Sequence, residues 1–196
     1  MNWLAEMYVT LLPGMLAGIG NMVWCKLPVA RGLARPIDGG RVWRDGRRLF
    51  GDNKTWKGVV GMVGLGAGAT VAWGACCAAS GSLQAHNLFY RAVPNTVAWN
   101  LLIGALIGVA YALFELPTSF IKRRHDVSPG RRASAGWGVA FTVLDQADSI
   151  IGMVAVVACF VPMTFGFFLA YLAVGAATHA VVNLALYAVR LRKNPL

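Results

Sequence analysis

Residues 137–161 read Trp137-Gly138-Val139-Ala140-Phe141-Thr142-Val143-Leu144-Asp145-Gln146-Ala147-Asp148-Ser149-Ile150-Ile151-Gly152-Met153-Val154-Ala155-Val156-Val157-Ala158-Cys159-Phe160-Val161. The run is long enough for the ~20 residues that cross a bilayer core as a helix. It is continuously apolar rather than alternating, which excludes a barrel strand. Two aspartates stand inside it. The stretch therefore predicts a membrane helix with an acidic pair, and the rest of the chain is read from there.

Four more stretches of the same kind occur, at Trp3–Trp24, Trp56–Ala79, Thr96–Ile121 and Thr164–Val189. Trp3, Trp24, Trp56, Trp99 and Trp137 fall near the ends, where interfacial aromatics sit. Hydrophobic residues make up 57% of the chain and charged residues 13%, about half the charge of a soluble domain. That excludes a soluble enzyme of ordinary composition, a disordered tail and a disulfide-stapled miniprotein. The expected fold is all-α: a polytopic membrane protein of about five transmembrane helices, forming one domain over residues 1–196.

Of the 18 Lys and Arg, nine lie in Cys25–Lys57, five in Lys122–Arg132 and three in Arg190–Lys193, leaving Arg91 alone between the second and third spans. Basic loops stay in the cytoplasm. This predicts an outside N-terminus, a cytoplasmic C-terminus and a large basic first cytoplasmic loop. The first residues hold Glu6 and no basic segment, so the first span is expected to remain as a helix. A net charge of +10 points to phosphate-bearing partners at the membrane rather than to nucleic acid. Cys25, Cys76, Cys77 and Cys159 show no metal spacing and are expected to be buried apolar thiols. The pairs Gly64/Gly68, Gly104/Gly108 and Gly14/Gly18 have the spacing of helix contacts.

Asp145 and Asp148 share one helix face at i, i+3. Each carboxylate would cost roughly 2.5–3.5 kcal/mol near the bilayer centre, and repulsion between them adds to that. A divalent cation such as Mg²⁺ is the natural offset, because hard oxygen ligands suit it and it can bridge to phosphates. Pairing with nearby arginines, or a protonated carboxyl, would also account for them. Glu115 shares a face with Ser119 and Lys122; it could serve a metal or pair with Lys122 or Arg123. Lys54 and Thr55 directly precede the second span, where a helix N-terminus and Lys57 would form an anion site. Asn21 and Asn183 are polar groups in apolar helices, suited either to interhelical hydrogen bonds or to a shared wet cavity.

Three segments resemble one family. The first cytoplasmic loop, Pro36-Ile37-Asp38-Gly39-Gly40 and then Asp45-Gly46-Arg47-Arg48-Leu49-Phe50-Gly51-Asp52-Asn53-Lys54-Thr55-Trp56-Lys57-Gly58, is similar to that of CDP-archaeol synthases, which read P-I-D-F-G and D-G-x-R-x-x-G-D-G-K-T-W-x-G. Ser119-Phe120-Ile121-Lys122-Arg123-Arg124 is similar to their S-F-I-K-R segment, and Leu144-Asp145-Gln146-Ala147-Asp148 to their L-D-Q-x-D. The ending from His179 to Asn183 with a basic tail also resembles them. Gly39 replaces Phe, Asn53 replaces Gly, and Glu115-Leu116 stands near a usual G-D-L. The aspartate pair is similar to the D-x-x-D of CDP-diacylglycerol synthases, which binds divalent metal.

The resemblance implies a five-helix, Mg²⁺-dependent cytidylyltransferase that takes CTP and a membrane lipid phosphate and releases CDP-lipid and pyrophosphate. On that reading Asp145 and Asp148 hold metal, while Lys54, Lys122 and Arg123 neutralise phosphates. Asp38 and Asp52 support the metal or orient the basic loop. Asn21, Thr55 and Asn183 line the cavity, and Arg47, Lys57 and Ser119 belong to the substrate-binding segments. The site would face the cytoplasm from a multi-pass position in the cell membrane. A proton relay or small transporter using the two aspartates, a CTP-dependent lipid kinase and a non-catalytic scaffold are the competing readings. The lipid tails and the oligomeric state, a homo-oligomer included, stay open.

Overall fold

Four of the five long helices open on a side chain that accepts a backbone N–H which the helix itself leaves without a partner. Asn2 caps Trp3–Lys26 (α1), Thr55 caps Trp56–Ala78 (α2), Thr96 caps Val97–Arg124 (α5) and Thr164 caps Phe165–Ala188 (α7). Gly138–Phe160 (α6) starts after Trp137 without a side-chain cap. Two short helices, Gly81–His86 (α3) and Phe89–Ala92 (α4), fill the connection between α2 and α5. The computed structural model describes residues 2–131, 133 and 136–191. Arg132, Arg192 and Lys193, counted in the charge distribution, lie outside the described residues.

All five long helices have the length and hydropathy to cross a membrane, and each predicted span agrees with its helix to within three residues. The fold is all-α and the protein is a multi-pass membrane protein. α5 is the central helix, packed on α2 at one side and α6 at the other; α1 lies on α2 and α7 on α6. Only 11% of the apolar window of α7 is buried. Phe165, Leu169, Val181 and Leu184 project from it, a surface that acyl chains cover and water would not.

Glycine sets the closest approach. A methyl group on Gly104 would stand 2.3 Å from the Gly66 carbonyl oxygen, and one on Gly108 would stand 2.6 Å from that of Met62. The α2–α5 seam therefore runs through Gly66 and Met62 against Gly104 and Gly108. Gly64 and Gly68, whose spacing predicts a helix contact, make none among the described residues: both face open space, because i, i+2 from Gly66 turns the face by about 200°. Gly14 and Gly18 do meet neighbours, Met153 with Ile107 and Tyr111 respectively. Of the four cysteines only Cys77 is buried. The expectation for Cys25, Cys76 and Cys159 is corrected, since their apolar surroundings in sequence lie on outward faces.

The core is confined to one half of the bundle. Met7, Leu11, Ile103, Ile107, Met153, Val154, Val157 and Tyr171 pack there, around the start of α1, α5 and α7 and the end of α6. Glu6 is 2% exposed and pairs with Arg91. The sequence reading missed this ion pair, although a lone acid in a first span and the lone basic residue of its end of the bundle were its visible signal. The half that holds the other chain ends is not packed solid. It opens into cavities beneath the basic loop.

Residues 27–55 form that loop, with isolated bridges Pro36–Thr55 and Val42–Arg48. Asp38 is its hub. Its carboxylate accepts from the backbone N–H groups of Gly40, Phe50 and Gly51 and from Arg48 at 2.7 Å. Gly39 and Gly40 have φ of +57° and +83°, left-handed conformations that glycine adopts without strain. Burial alone would push the Asp38 carboxyl up, but the Arg48 guanidinium and the three N–H groups outweigh it and hold the pKa well below the usual carboxylate range. A depressed native pKa contributes stability that is present above the unfolded value near 3.8 and is lost as pH falls through the native one. The Phe50 and Gly51 amides should therefore stay protected from hydrogen exchange down to about pH 4. In Asp38→Asn they should exchange at least tenfold faster at neutral pH.

Candidate functional site

The basic loop is fastened to the end of α5. Arg47 reaches Asp126 at 2.6 Å, and Arg124 reaches Asp45 at 2.9 Å while lying 4.5 Å over the Phe120 ring. Trp43 meets Phe120 edge-on at 5.6 Å. These contacts hold the last loop residues, Asn53 and Lys54, over a cavity of about 350 Å³ between α5, α6 and α7.

Ser119, Lys122, Arg123, Asp145, Asp148 and Asn183 line this cavity together with Lys54 and Glu115. Residues separated by more than a hundred positions thus share one wall. Lys54 is ion-paired to Glu115, and Lys122 to Asp145. Asp148 is 8% exposed; its Oδ1 accepts from the Ser149 N–H at 2.6 Å, and it makes no ion pair among the described residues. Arg123 is equally buried, and its Nη1 has no hydrogen-bond partner among the described residues. A buried guanidinium with an open donor beside a polar cavity is suited to an anion.

α7 steadies the aspartate-bearing turn. Asn183 donates to the Gln146 side-chain oxygen at 2.7 Å, and the His179 ring lies 3.2 Å from the Gln146 carbonyl oxygen. Gln146, between the two aspartates, was not among the sequence-predicted site residues. Its signal was its place in the motif, but only the fold shows that it ties α6 to α7. Glu115 pairs with Lys54, not with Lys122 or Arg123.

The other expected residues lie elsewhere. Asn21 and Thr55 line a second cavity of about 370 Å³, which also reaches Lys54 and Glu115. Asn21 donates to the Gly58 carbonyl at 3.0 Å, so it both joins α1 to α2 and faces a cavity. Asp38, Arg47, Asp52 and Lys57 line neither cavity. Asp52 pairs with Arg48 at 2.8 Å, and the Lys57 ammonium donates to the Leu27 carbonyl at 2.6 Å. All four side chains brace the loop, so their part in the site is to shape it.

Among the described residues, no group of three or more His, Cys, Asp or Glu is placed as a ready-made metal cage. Mg²⁺ is usually held by one or two carboxylates with waters and substrate phosphates completing its shell. Two carboxylates on one wall of a cavity rich in cations fit that donor set.

The class these features define is a five-helix intramembrane protein with an acid–cation site at one end of its bundle. The family model described as "CarS-like: CDP-archaeol synthase" matches residues 4–196. The CDP-archaeol synthase of Thermococcus onnurineus is 39% identical over 132 residues, 65% of this chain and 63% of that protein, so the chain spans slightly less than two thirds of this relative's length. That of Halobacterium salinarum is 33% identical over 187 residues, 88% of this chain and 94% of the other. A solved structure of an intramembrane enzyme for archaeal membrane lipid biosynthesis superposes with a TM-score of 0.60 at 28% identity, covering 90% of this chain and 91% of that one. The chain belongs to the CDP-archaeol synthase family.

Proposed function

We propose that this protein joins CTP and a lipid phosphate into a CDP-lipid of the CDP-archaeol type and pyrophosphate, at the cavity under the basic loop. It is a CTP-dependent lipid-phosphate cytidylyltransferase embedded in the membrane. The observation that carries the reading is the convergence of Lys54, Lys122, Arg123, Asp145 and Asp148 on one cavity in a chain of this family.

A phosphate monoester oxygen of the lipid attacks the α-phosphorus of CTP, the bond from that phosphorus to the bridging oxygen breaks, and pyrophosphate departs. The nucleophile is already anionic, so positioning and charge neutralisation dominate the barrier. Lys54, Lys122 and Arg123 bind phosphate oxygens. Asp145 and Asp148 are the residues that would hold Mg²⁺, and a bound cation would neutralise the triphosphate. Ser119 and Asn183 complete the polar wall, with Asn183 keeping the aspartate turn in place through Gln146.

The whole chain acts as one domain. The basic end lies in the cytoplasm with the C-terminus, and the N-terminus lies outside, because 17 of the 18 Lys and Arg fall on one side in sequence. The positive charge serves nucleotide and lipid phosphates, and nucleic acid is not a partner.

The test is purified protein with Mg²⁺, a panel of ether- and ester-lipid phosphates, and CTP labelled at the α- or the γ-phosphate. Label from the α-phosphate is expected in the lipid, with release of pyrophosphate. Lipid labelled only from the γ-phosphate would make the protein a kinase, and no labelled lipid at all would remove the enzyme reading.

A further inference from the structure

Two cavities of similar size meet at the Lys54–Glu115 ion pair, and they differ in kind. The one described above carries both aspartates, Lys122 and Arg123. The other, of about 370 Å³, lies between α1, α2 and α5, a size within the range of small-ligand sites. Lys54 and the Thr55 hydroxyl stand at the start of α2, with Glu115 and Asn21 on the same cavity. Met22, Val59, Met62 and Ala112 give it an apolar wall.

The second cavity exists because the α2–α5 seam stops. Gly104 and Gly108 bring α5 onto the backbone of α2 at Gly66 and Met62. One turn nearer the basic loop, Val59 and Ala112 take those places, and space opens between the helices. Close by on the same helices, Val60 and Leu113 are exposed, on the surface given over to lipid.

We infer that this second cavity seats the lipid substrate: its phosphate monoester lies toward Lys54 and Thr55, and the glycerol and first methylenes lie against Met22, Val59 and Ala112. The inference rests on the cytidylyltransferase reading above. Charge and polarity divide the two substrates. A nucleoside triphosphate that travels with a divalent cation matches the cavity holding the aspartate pair. A phosphate monoester on an apolar stem matches the cavity that lacks both aspartates, whose one carboxylate, Glu115, is paired with Lys54, and that joins Lys54 and the Thr55 hydroxyl to an apolar wall. Lys54 borders both cavities, so phosphates entering from the two sides would meet beside one ammonium group.

Two fillings of the cavity test this, Val59→Trp on α2 and Ala112→Phe on α5. Both side chains are half-buried, so added bulk enters the cavity rather than the core. Each variant should raise KM for the lipid phosphate at least tenfold. Binding of CTP with Mg²⁺, measured by titration calorimetry on detergent-solubilised protein, should stay within twofold of wild type. An unchanged lipid KM in the folded variants, or CTP binding weakened to the same degree, would overturn the assignment. Elution profile and melting temperature verify folding, and the two variants sit on different helices so that one serves if the other misfolds. Wild type runs alongside: if it makes no CDP-lipid, the cytidylyltransferase reading itself fails. An active wild type with unaffected variants removes the cavity assignment alone.

Discussion

Asp148→Asn is expected to abolish CDP-lipid formation, lowering turnover by on the order of 10³-fold or more, while the protein still inserts and folds. The change keeps the size and the Ser149 hydrogen bond of the side chain but removes a charge. In the structure that carboxyl is almost fully buried and lacks an ion-pair partner among the described residues. An unpaired carboxylate at this depth destabilises the fold, so the asparagine variant should melt at the same temperature or higher. Lost activity combined with retained or increased stability is the signature of a group kept for chemistry. Pyrophosphate release measured against melting in detergent decides the matter. Near-normal turnover would remove the metal role of the pair, and a collapsed fold would make Asp148 a structural residue.

Lys54→Ala should lower turnover by about 10²–10³-fold and weaken CTP binding. It should also destabilise the protein, since Glu115 loses its partner in a site where a fifth to a quarter of each side chain is exposed. About 1–3 kcal/mol is expected, below the figure for fully buried pairs because solvent still reaches this one. Adding Glu115→Gln should restore the melting temperature and leave the turnover low. If the double variant regained activity, Lys54 would be needed only to neutralise Glu115. Burial works against the charged form of Lys54, but the Glu115 carboxylate, with Asp148 and Asp145 beyond it, outweighs burial and raises its pKa. A raised native pKa gives stability that is fully present below the ordinary lysine value near 10.5 and is lost only above it. Lys54 therefore stays a cation across the working pH range, and a basic limb in the pH–rate profile below pH 10 would have to come from another group.

The contrast between the two glycine pairs shows where sequence reasoning reaches and where it stops. Gly64/Gly68 and Gly104/Gly108 carry the same spacing, but only the second pair touches a neighbour. Spacing marks a face of a helix and does not say which face the partner helix chooses. The same holds for charge. Asp38, Asp52, Arg47 and Lys57 belong to the loop motif as clearly as Lys54 does. Asp38 and Asp52 turn to partners inside the loop, Arg48 above all, while Arg47 and Lys57 turn to Asp126 and Leu27, 79 and 30 positions away; spacing alone does not tell these from Lys54.

By itself the sequence determined the number and bounds of the long apolar helices, the concentration of positive charge in three segments and the presence of an acidic pair on one helix face. These depend on hydropathy over ~20 residues and on helical periodicity, both local properties of the chain. The tertiary structure alone decided that Lys54 pairs with Glu115, that Gln146 is held from α7 by Asn183, that Glu6 meets Arg91, and that the Lys54–Glu115 pair stands between two cavities. Each of these is a contact between segments far apart in the chain. Such contacts are fixed only when helices choose their facing surfaces, and here glycine's lack of a side chain makes that choice for α2 and α5.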